Sequence, residues 1–536
     1  MKTVKRDEIS SERAFMSGVL VLSISTIIVK VIGLAYKIPL LSILGADGMG
    51  YFNTAYEIFA LLCGVSTSGL PVAVSMLVSS SREVGNYSRA KGIFKTSSAL
   101  LMTKGVLFAG ALAVFAEQIA IAIGNPQSYF AILAISPALL FCCASGAIRG
   151  YFQGCRIMTP TAVSQLIEAL GKLILGVAFA YAAVKNGFDM AVSAAFAVLG
   201  VSFGSFIAAA YLFLKIKIQG MVGNRGQKSK KAEKTYGYFF ELLRISLPIT
   251  LCSALIGVTR FIDMTLIMRR LTDIGVSSAE ANRIYGSYTT LALPIFSLVP
   301  AFIPPITESL IPRLAAAVES GSQTEQHRAV SNAARLTVFL AMPSSMGIAL
   351  YSKQIMTLLF GNEAQAIEIA APLLSSLGIS VLLSCLITTT NAILQSYRKV
   401  LLPIISLAVG AVIKSVSAYF LIGSPQFAEM GAPVSTFLSN LAVMSVNMLF
   451  VSKTLSGKTG ILSALPKPFF ASVVAMLASY STYTLLTRVW GNTTFVFLVA
   501  LAVAVAMYFA LAVALGVVSR DDLNMIRKNK RKIKEY

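Results

Sequence analysis

Eleven ionisable side chains stand inside apolar runs of this chain: Lys30, Lys37, Glu57, Lys104, Arg149, Glu168, Lys172, Arg260, Asp263, Glu308 and Lys414. A charge at the centre of a membrane-spanning helix costs about 2.5–3.5 kcal/mol even on insertion scales, so each needs a partner or a watered cavity. Lys30 and Lys37 are two helical turns apart and share a face. Glu57 is an acid able to pair with one of them. Arg260 and Asp263 are three apart, a spacing that pairs side chains along a helix. Glu308 stands beside Pro304-Pro305, where a helix breaks. Cations at this density suit a ligand with several charged oxygens, such as a pyrophosphate. Lysine meets it as a point charge and arginine as a bidentate fork. The candidate substrate-binding residues are therefore Lys30, Lys37, Glu57, Arg260, Glu308 and Arg149. Asp263 is the candidate for ion coupling or a charge switch. The same residues also read as structural ion pairs between spans, with Lys37 and Lys104 near enough to helix ends to snorkel. No residue is assigned to catalysis or to a metal.

The elements that carry these charges are membrane spans. Of 536 residues, 56% are hydrophobic and only 13% charged, where a soluble domain carries about 25%. Runs long enough to cross a bilayer fall near 16–42, 50–80, 93–116, 128–154, 159–184, 190–215, 238–268, 284–314, 331–353, 366–396, 400–422, 430–452, 464–487 and 493–518. The expected fold is an all-α polytopic membrane protein of about fourteen helices. No short cleavable leader precedes the first run, which reads as a retained span. With the N-terminus in the cytoplasm, 31 of the 45 lysines and arginines fall in inward connections and tails, and six in outward loops. That bias satisfies the positive-inside rule and puts both termini in the cytoplasm. One loop, 269–283, is awkward: its three arginines face outward.

The net charge of +22 reads as topology and attraction to anionic lipid headgroups rather than nucleic acid. One histidine and six scattered cysteines make no zinc cluster. The chain holds no phosphate-binding glycine loop, so no ATPase is expected. Nor is a cofactor, and energy would come from Na+ or H+ coupling or from the membrane potential. Boundaries expected from the charge runs are an N-terminal lobe 1–215, a basic cytoplasmic linker 216–237, a C-terminal lobe 238–453, two added spans 454–518 and a basic tail 519–536. The lobes carry a repeat. Gln153-Gly-Cys-Arg156, Pro160 and Lys172 parallel Gln395-Ser-Tyr-Arg398, Pro403 and Lys414. Parallel repeats of this kind are common in transporters.

Several segments carry a resemblance. Span one reads Lys30-Val-Ile-Gly-Leu-Ala-Tyr-Lys37-Ile-Pro, followed by Leu44-Gly45 and Gly48-Met-Gly-Tyr51. Span two holds Ala55-Tyr-Glu-Ile-Phe and Ser68-Gly-Leu-Pro71. Farther on stand Ile284-Tyr-Gly286, Leu293-Pro294, Ser309-Leu-Ile-Pro312-Arg, Ala341-Met-Pro343 and Leu358-Leu-Phe-Gly361. These segments resemble the polysaccharide-transporter branch of the multidrug/oligosaccharidyl-lipid/polysaccharide (MOP, MATE-like) superfamily. Within it they resemble the group of stage V sporulation protein B and the MurJ-type lipid II flippases. The resemblance implies two six-helix lobes in a V-shaped alternating-access arrangement plus two C-terminal helices. It implies outward transfer of an undecaprenyl-pyrophosphate-linked sugar, with cell-wall or spore-cortex synthesis proteins as partners and no enzymatic activity. Where the lipid II flippases carry an Arg-Asp pair in span one, this chain has Tyr36-Lys37, and near Thr289 it lacks an arginine that they use. Cation-coupled drug export and a non-transporting role in spore or envelope assembly are the alternatives.

Overall fold

The structure, a computed structural model, describes residues 21–22, 25–218, 235–361, 363–399, 401–455, 460–491 and 493–517. Most of the expected basic linker 216–237, residues 1–20 and the tail 519–536 lie outside them. Among the described residues there are helices and turns and no strand. Two compact units divide at Thr290 and Leu291.

The first unit holds α1 (25–35), α2 (Lys37–Thr67), α3 (Gly69–Glu83), α4 (Tyr87–Val114), α5 (Ala116–Ile123), α6 (Tyr129–Gly154), α7 (Thr159–Lys185), α8 (Met190–Ile218), α9 (Thr235–Asp273) and α10 (Ser278–Ser287). The second holds α11 (Leu293–Leu298), α12 (Pro304–Glu319), α13 (Gln323–Phe360), α14 (Ala364–Ser396), α15 (Leu401–Ile422), α16 (Gly431–Leu455), α17 (Pro466–Trp490) and α18 (Thr494–Ala514). Helices α9 and α10 pack on α2, so the first unit runs on past residue 238 to Thr290.

Thirteen described segments are long and apolar enough to cross a membrane. The first spans Ser25–Glu83, 59 residues. At 1.5 Å per residue that is nearly three times the ~30 Å hydrocarbon core. It breaks at Gly45, whose φ of 64° and ψ of −178° lie in a region open to glycine alone. This break falls between the first two expected spans and accounts for fourteen against thirteen. The expected span 284–314 is also interrupted. A π-helical turn, Tyr288–Ala292, follows α10, and a 3₁₀ turn, Pro300–Phe302, precedes α12 at the expected Pro304-Pro305 break. Helix α13 starts well before its apolar run. Ser322 caps it through the Glu325 amide, the Ser-x-x-Glu spacing of a capping box.

The repeat read from Gln153 and Gln395 is built into the backbone. Among the described residues, Arg156 (φ 61°) and Arg398 (φ 59°) are the only non-glycine residues with positive φ. Each ends its helix with the same pair of bonds. The Arg156 and Ile157 amides reach the Gln153 and Phe152 carbonyls, as those of Arg398 and Lys399 reach Gln395 and Leu394. This is the Schellman pattern, in which glycine usually takes the left-handed place. Each arginine then reaches back to a glutamate at the end of an earlier helix, Arg156 to Glu83 on α3 and Arg398 to Glu319 on α12. The neighbours repeat too. Helix α6 packs on α3, α4 and α8, and α14 packs on α12, α13 and α16. Large apolar side chains such as Phe420 and Leu477 are exposed on the outside, as a hydrocarbon solvent allows.

Candidate functional site

The cationic site is assembled around the α1–α2 junction. Tyr36 sits at the turn, buried, and Lys37 opens α2. The Lys37 ammonium donates to the Thr289 carbonyl at 2.7 Å, inside the π-turn. Glu57 attracts it electrostatically, while Lys172 and Arg260 repel it. Lys172, on α7, lies over two aromatic rings, 4.7 Å from the centre of Tyr56 and 5.2 Å from that of Tyr36. Such a cation–π contact gains strength when water is excluded. Tyr36, Phe52, Tyr56 and Phe59 form a run of rings with centroids about 6 Å apart, which stiffens the wall that carries Lys37 and Glu57.

Beside it lies a cavity of about 260 Å³ lined by Thr26, Val29, Tyr56, Arg149, Glu168 and Lys172, among others. Arg149 is held there as an ion pair with Glu168 at 2.8 Å and by its Nε to Ser164 at 2.9 Å. Ser205 donates to the other Glu168 oxygen at 3.3 Å.

Lys37, Glu57 and Arg260 are thus brought into one electrostatic group, and Tyr285 lies in the field of Glu57, Asp263 and Arg260. Lys30 and Arg260 are exposed at mid-helix. Arg149 stands apart, paired with Glu168 in the adjoining cavity. Glu308 lies on α12, and its side chain is outside those described. Lys172 is not in the binding set expected from the sequence, and neither are its aromatic partners Tyr36 and Tyr56. The available signal was a tyrosine directly before a charge, Tyr36-Lys37 and Tyr56-Glu57, in otherwise apolar runs. The two departures from the flippase pattern, Lys37 and Thr289, turn out to touch.

A second polar cluster joins α2 to α10. Asn125 donates to Asn282 at 2.8 Å, Asn282 to the Asp47 carbonyl at 2.8 Å, and Asn53 to the Thr290 hydroxyl at 2.7 Å. The backbones cross where Gly50 meets Gly286, so closely that a Cβ on Gly286 would stand 2.1 Å from the Ala46 carbonyl oxygen. The awkward arginines of 269–283 are largely paired: Arg270 with Asp273 at 2.7 Å, and Arg283 with Asp47 and Glu280 at 3.3 and 3.5 Å.

A family model described as polysaccharide biosynthesis protein matches residues 15–318, and one described as MatE matches residues 286–420. Lipid II flippase MurJ of Bacillus subtilis (strain 168) is 26% identical over 82% of this chain and 82% of its own length. Stage V sporulation protein B of the same organism is 25% identical, covering 83% and 85%. Its uncharacterized membrane protein YabM is 26% identical over 97% and 96%. Among solved structures, an inward-facing multidrug resistance MATE family transporter of the MOP superfamily superposes with a TM-score of 0.68 at 15% identity, covering 82% of this chain and 98% of that one. Lipid II flippase MurJ in an inward closed conformation gives 0.67 at 13%, covering 93% and 99%. Fold and spans together define a multi-pass, all-α membrane protein with the MATE and MurJ fold. The chain belongs to the polysaccharide biosynthesis protein family, in agreement with the resemblance its motifs carry.

Proposed function

We propose that this chain moves an undecaprenyl-pyrophosphate-linked sugar, lipid II or a related peptidoglycan or polysaccharide precursor, from the inner to the outer leaflet by alternating access. The observation that carries this reading is the placement of Lys37 at the α1–α2 junction and of Lys172 over Tyr36 and Tyr56, beside a cavity of about 260 Å³, with Arg260 in the field of Lys37. Three cations in one field repel one another and are stabilised by an anion that arrives between them. Lys30, Glu57, Glu308 and Arg149 complete the proposed binding set, and Asp263 is the proposed coupling or charge-switch residue. An apolar groove of about 360 Å³ lined by Phe339, Pro343, Tyr351, Met476, Phe497 and Tyr508, among others, fits a polyprenyl tail. The two relatives named for lipid II flipping and for sporulation support a lipid-linked precursor as cargo. In this reading no bond is made or broken, so the chain is a transporter and not an enzyme, driven by an ion gradient or the membrane potential. It sits in the bacterial cytoplasmic membrane with both termini inside, beside anionic lipids and cell-wall or spore-cortex synthesis proteins.

The test is flipping of a labelled lipid-linked sugar in proteoliposomes. Losing a charge-assisted contact costs about 1.5–3 kcal/mol, so Lys37→Ala/Arg260→Ala is expected to slow transport at least tenfold. Wild-type rates in that double variant would remove the cationic site from the mechanism. The MatE match over residues 286–420 favours a second reading, cation-coupled drug export. Cationic drugs seek an acidic cavity, and efflux of such a drug unaffected by the double variant would support it.

A further inference from the structure

The contact between Lys37 and the Thr289 carbonyl has a backbone cause. In a π-turn each carbonyl bonds to the amide five residues on. For Thr289 that residue is Pro294, which has no N–H. The Thr289 carbonyl is orphaned by the sequence, in a buried turn, and Lys37 supplies its missing donor at 2.7 Å. In α-helical register the orphan would be the Thr290 carbonyl instead, one residue away from the lysine. The bond therefore selects the π register. The choice falls where the chain passes from the first compact unit into the second, at Thr290 and Leu291. On the α10 side of the turn the Tyr285 and Ser287 hydroxyls are buried with no hydrogen-bond partner among the described residues.

We propose that Lys37 is a register lock on span eight. While its ammonium caps the Thr289 carbonyl, the π-turn persists. An anion that takes Lys37 frees the turn to pass into α register and rotates α10. This deepens the transport reading above and rests on it for the identity of the anion, a pyrophosphate. Lys37 thereby acts as a positioning residue as well as a contact, coupling arrival of charge to the shape of the helix.

Ser287→Cys, in a full-length chain whose six native cysteines are replaced, reports on the turn through its rate of thiol labelling. That rate is expected to rise about tenfold in Lys37→Met, a factor equal to about 1.4 kcal/mol, and to return towards the starting value in Lys37→Arg. Pro294→Ala supplies an N–H to either register, to the Thr289 carbonyl in π and to the Thr290 carbonyl in α, so with alanine at 294 the labelling rate is expected to lose its dependence on Lys37. A purely packing role for the lysine predicts the same Lys37→Met effect with proline or alanine at 294. Unchanged labelling in Lys37→Met, or a Lys37→Met effect that persists undiminished in Pro294→Ala, overturns the lock. Should the reporter variant not fold, hydrogen exchange of the Tyr288–Ala292 amides reads the same comparison in the native-cysteine chain. Inorganic pyrophosphate is the ligand probe and is expected to speed labelling only when Lys37 is present. A lock that behaves as described but ignores pyrophosphate refutes release by this anion and with it the cargo reading, while register control by Lys37 stands. A transport defect in Lys37→Ala/Arg260→Ala with no labelling change in Lys37→Met does the reverse.

Discussion

Arg149 and Glu168 illustrate what single side chains do in this molecule. They form a partly buried pair with 16% and 30% of their side chains exposed. Breaking such a pair by removing one partner strands the other charge, at a cost that reaches about 3–5 kcal/mol in fully buried cases. Glu168→Gln is therefore expected to lower the melting temperature of the detergent-solubilised protein more than Arg149→Met/Glu168→Met does, a non-additivity that a double-mutant cycle measures. Equal losses would show that the pair is screened by water in the neighbouring cavity. The charges themselves were legible in the sequence, because an ionisable residue in an apolar run stands out. Their partners were less so. Tyr36 and Tyr56 look like ordinary aromatic filling until Lys172 is seen over both rings. The partner of Lys37 is a backbone carbonyl, which no residue type announces. Only the proline five residues after Thr289 carried that signal.

Among the elements, spans and their order were readable because apolar length has one strong meaning, and the C-terminal ends of α6, α14 and α15 fall on the expected residues. Polar extensions such as the start of α13 were not, since a capped amphipathic turn carries no apolar run. The Gln–Arg repeat was visible as spacing, and its cause lies in the left-handed arginines. An L-residue there pays about 1–2 kcal/mol that glycine does not, while an exposed ion pair returns at most about 1 kcal/mol. Arg156→Ala keeps the strain and loses the pair, so thermal unfolding should show it less stable by up to about 1 kcal/mol. Arg156→Gly loses both and should match or exceed the parent. The Arg398 pair is more exposed, 88% and 70% against 50% and 59%. Its glycine variant is accordingly expected to gain more. If both glycine variants unfold earlier than the parent, the ion pairs dominate and the strain argument fails.

For the molecule as a whole, packing carries α9 and α10 with the first compact unit as far as Thr290, and contacts between distant helices leave no local trace in composition. The proposed cargo makes one demand on the entire chain: a charged head and a long tail must be accommodated together. Gly347 lines the apolar groove, and a Cβ there would meet Met476 at 3.6 Å. A bulky side chain would therefore fill the groove, and Gly347→Phe is expected to slow transport of a full-length polyprenyl substrate several-fold. A short-chain analogue should pass with little change. Equal slowing of both would mean that the groove supports the fold and does not hold the tail.

The Lys37–Thr289 bond also bears on how the protein is made. The turns at Arg156 and Arg398 close on residues already synthesised, Glu83 and Glu319 among them, so each hairpin can be completed as it leaves the ribosome. Lys37 has no such convenience, for its carbonyl partner follows 252 residues later. At about 5–20 residues per second that is roughly 10–50 s of translation. During this interval a lysine has entered the bilayer ahead of the group that will receive it. Glu57, whose charge attracts Lys37 in the folded protein, follows only twenty positions behind it on the emerging chain, so that partner is synthesised long before the Thr289 carbonyl.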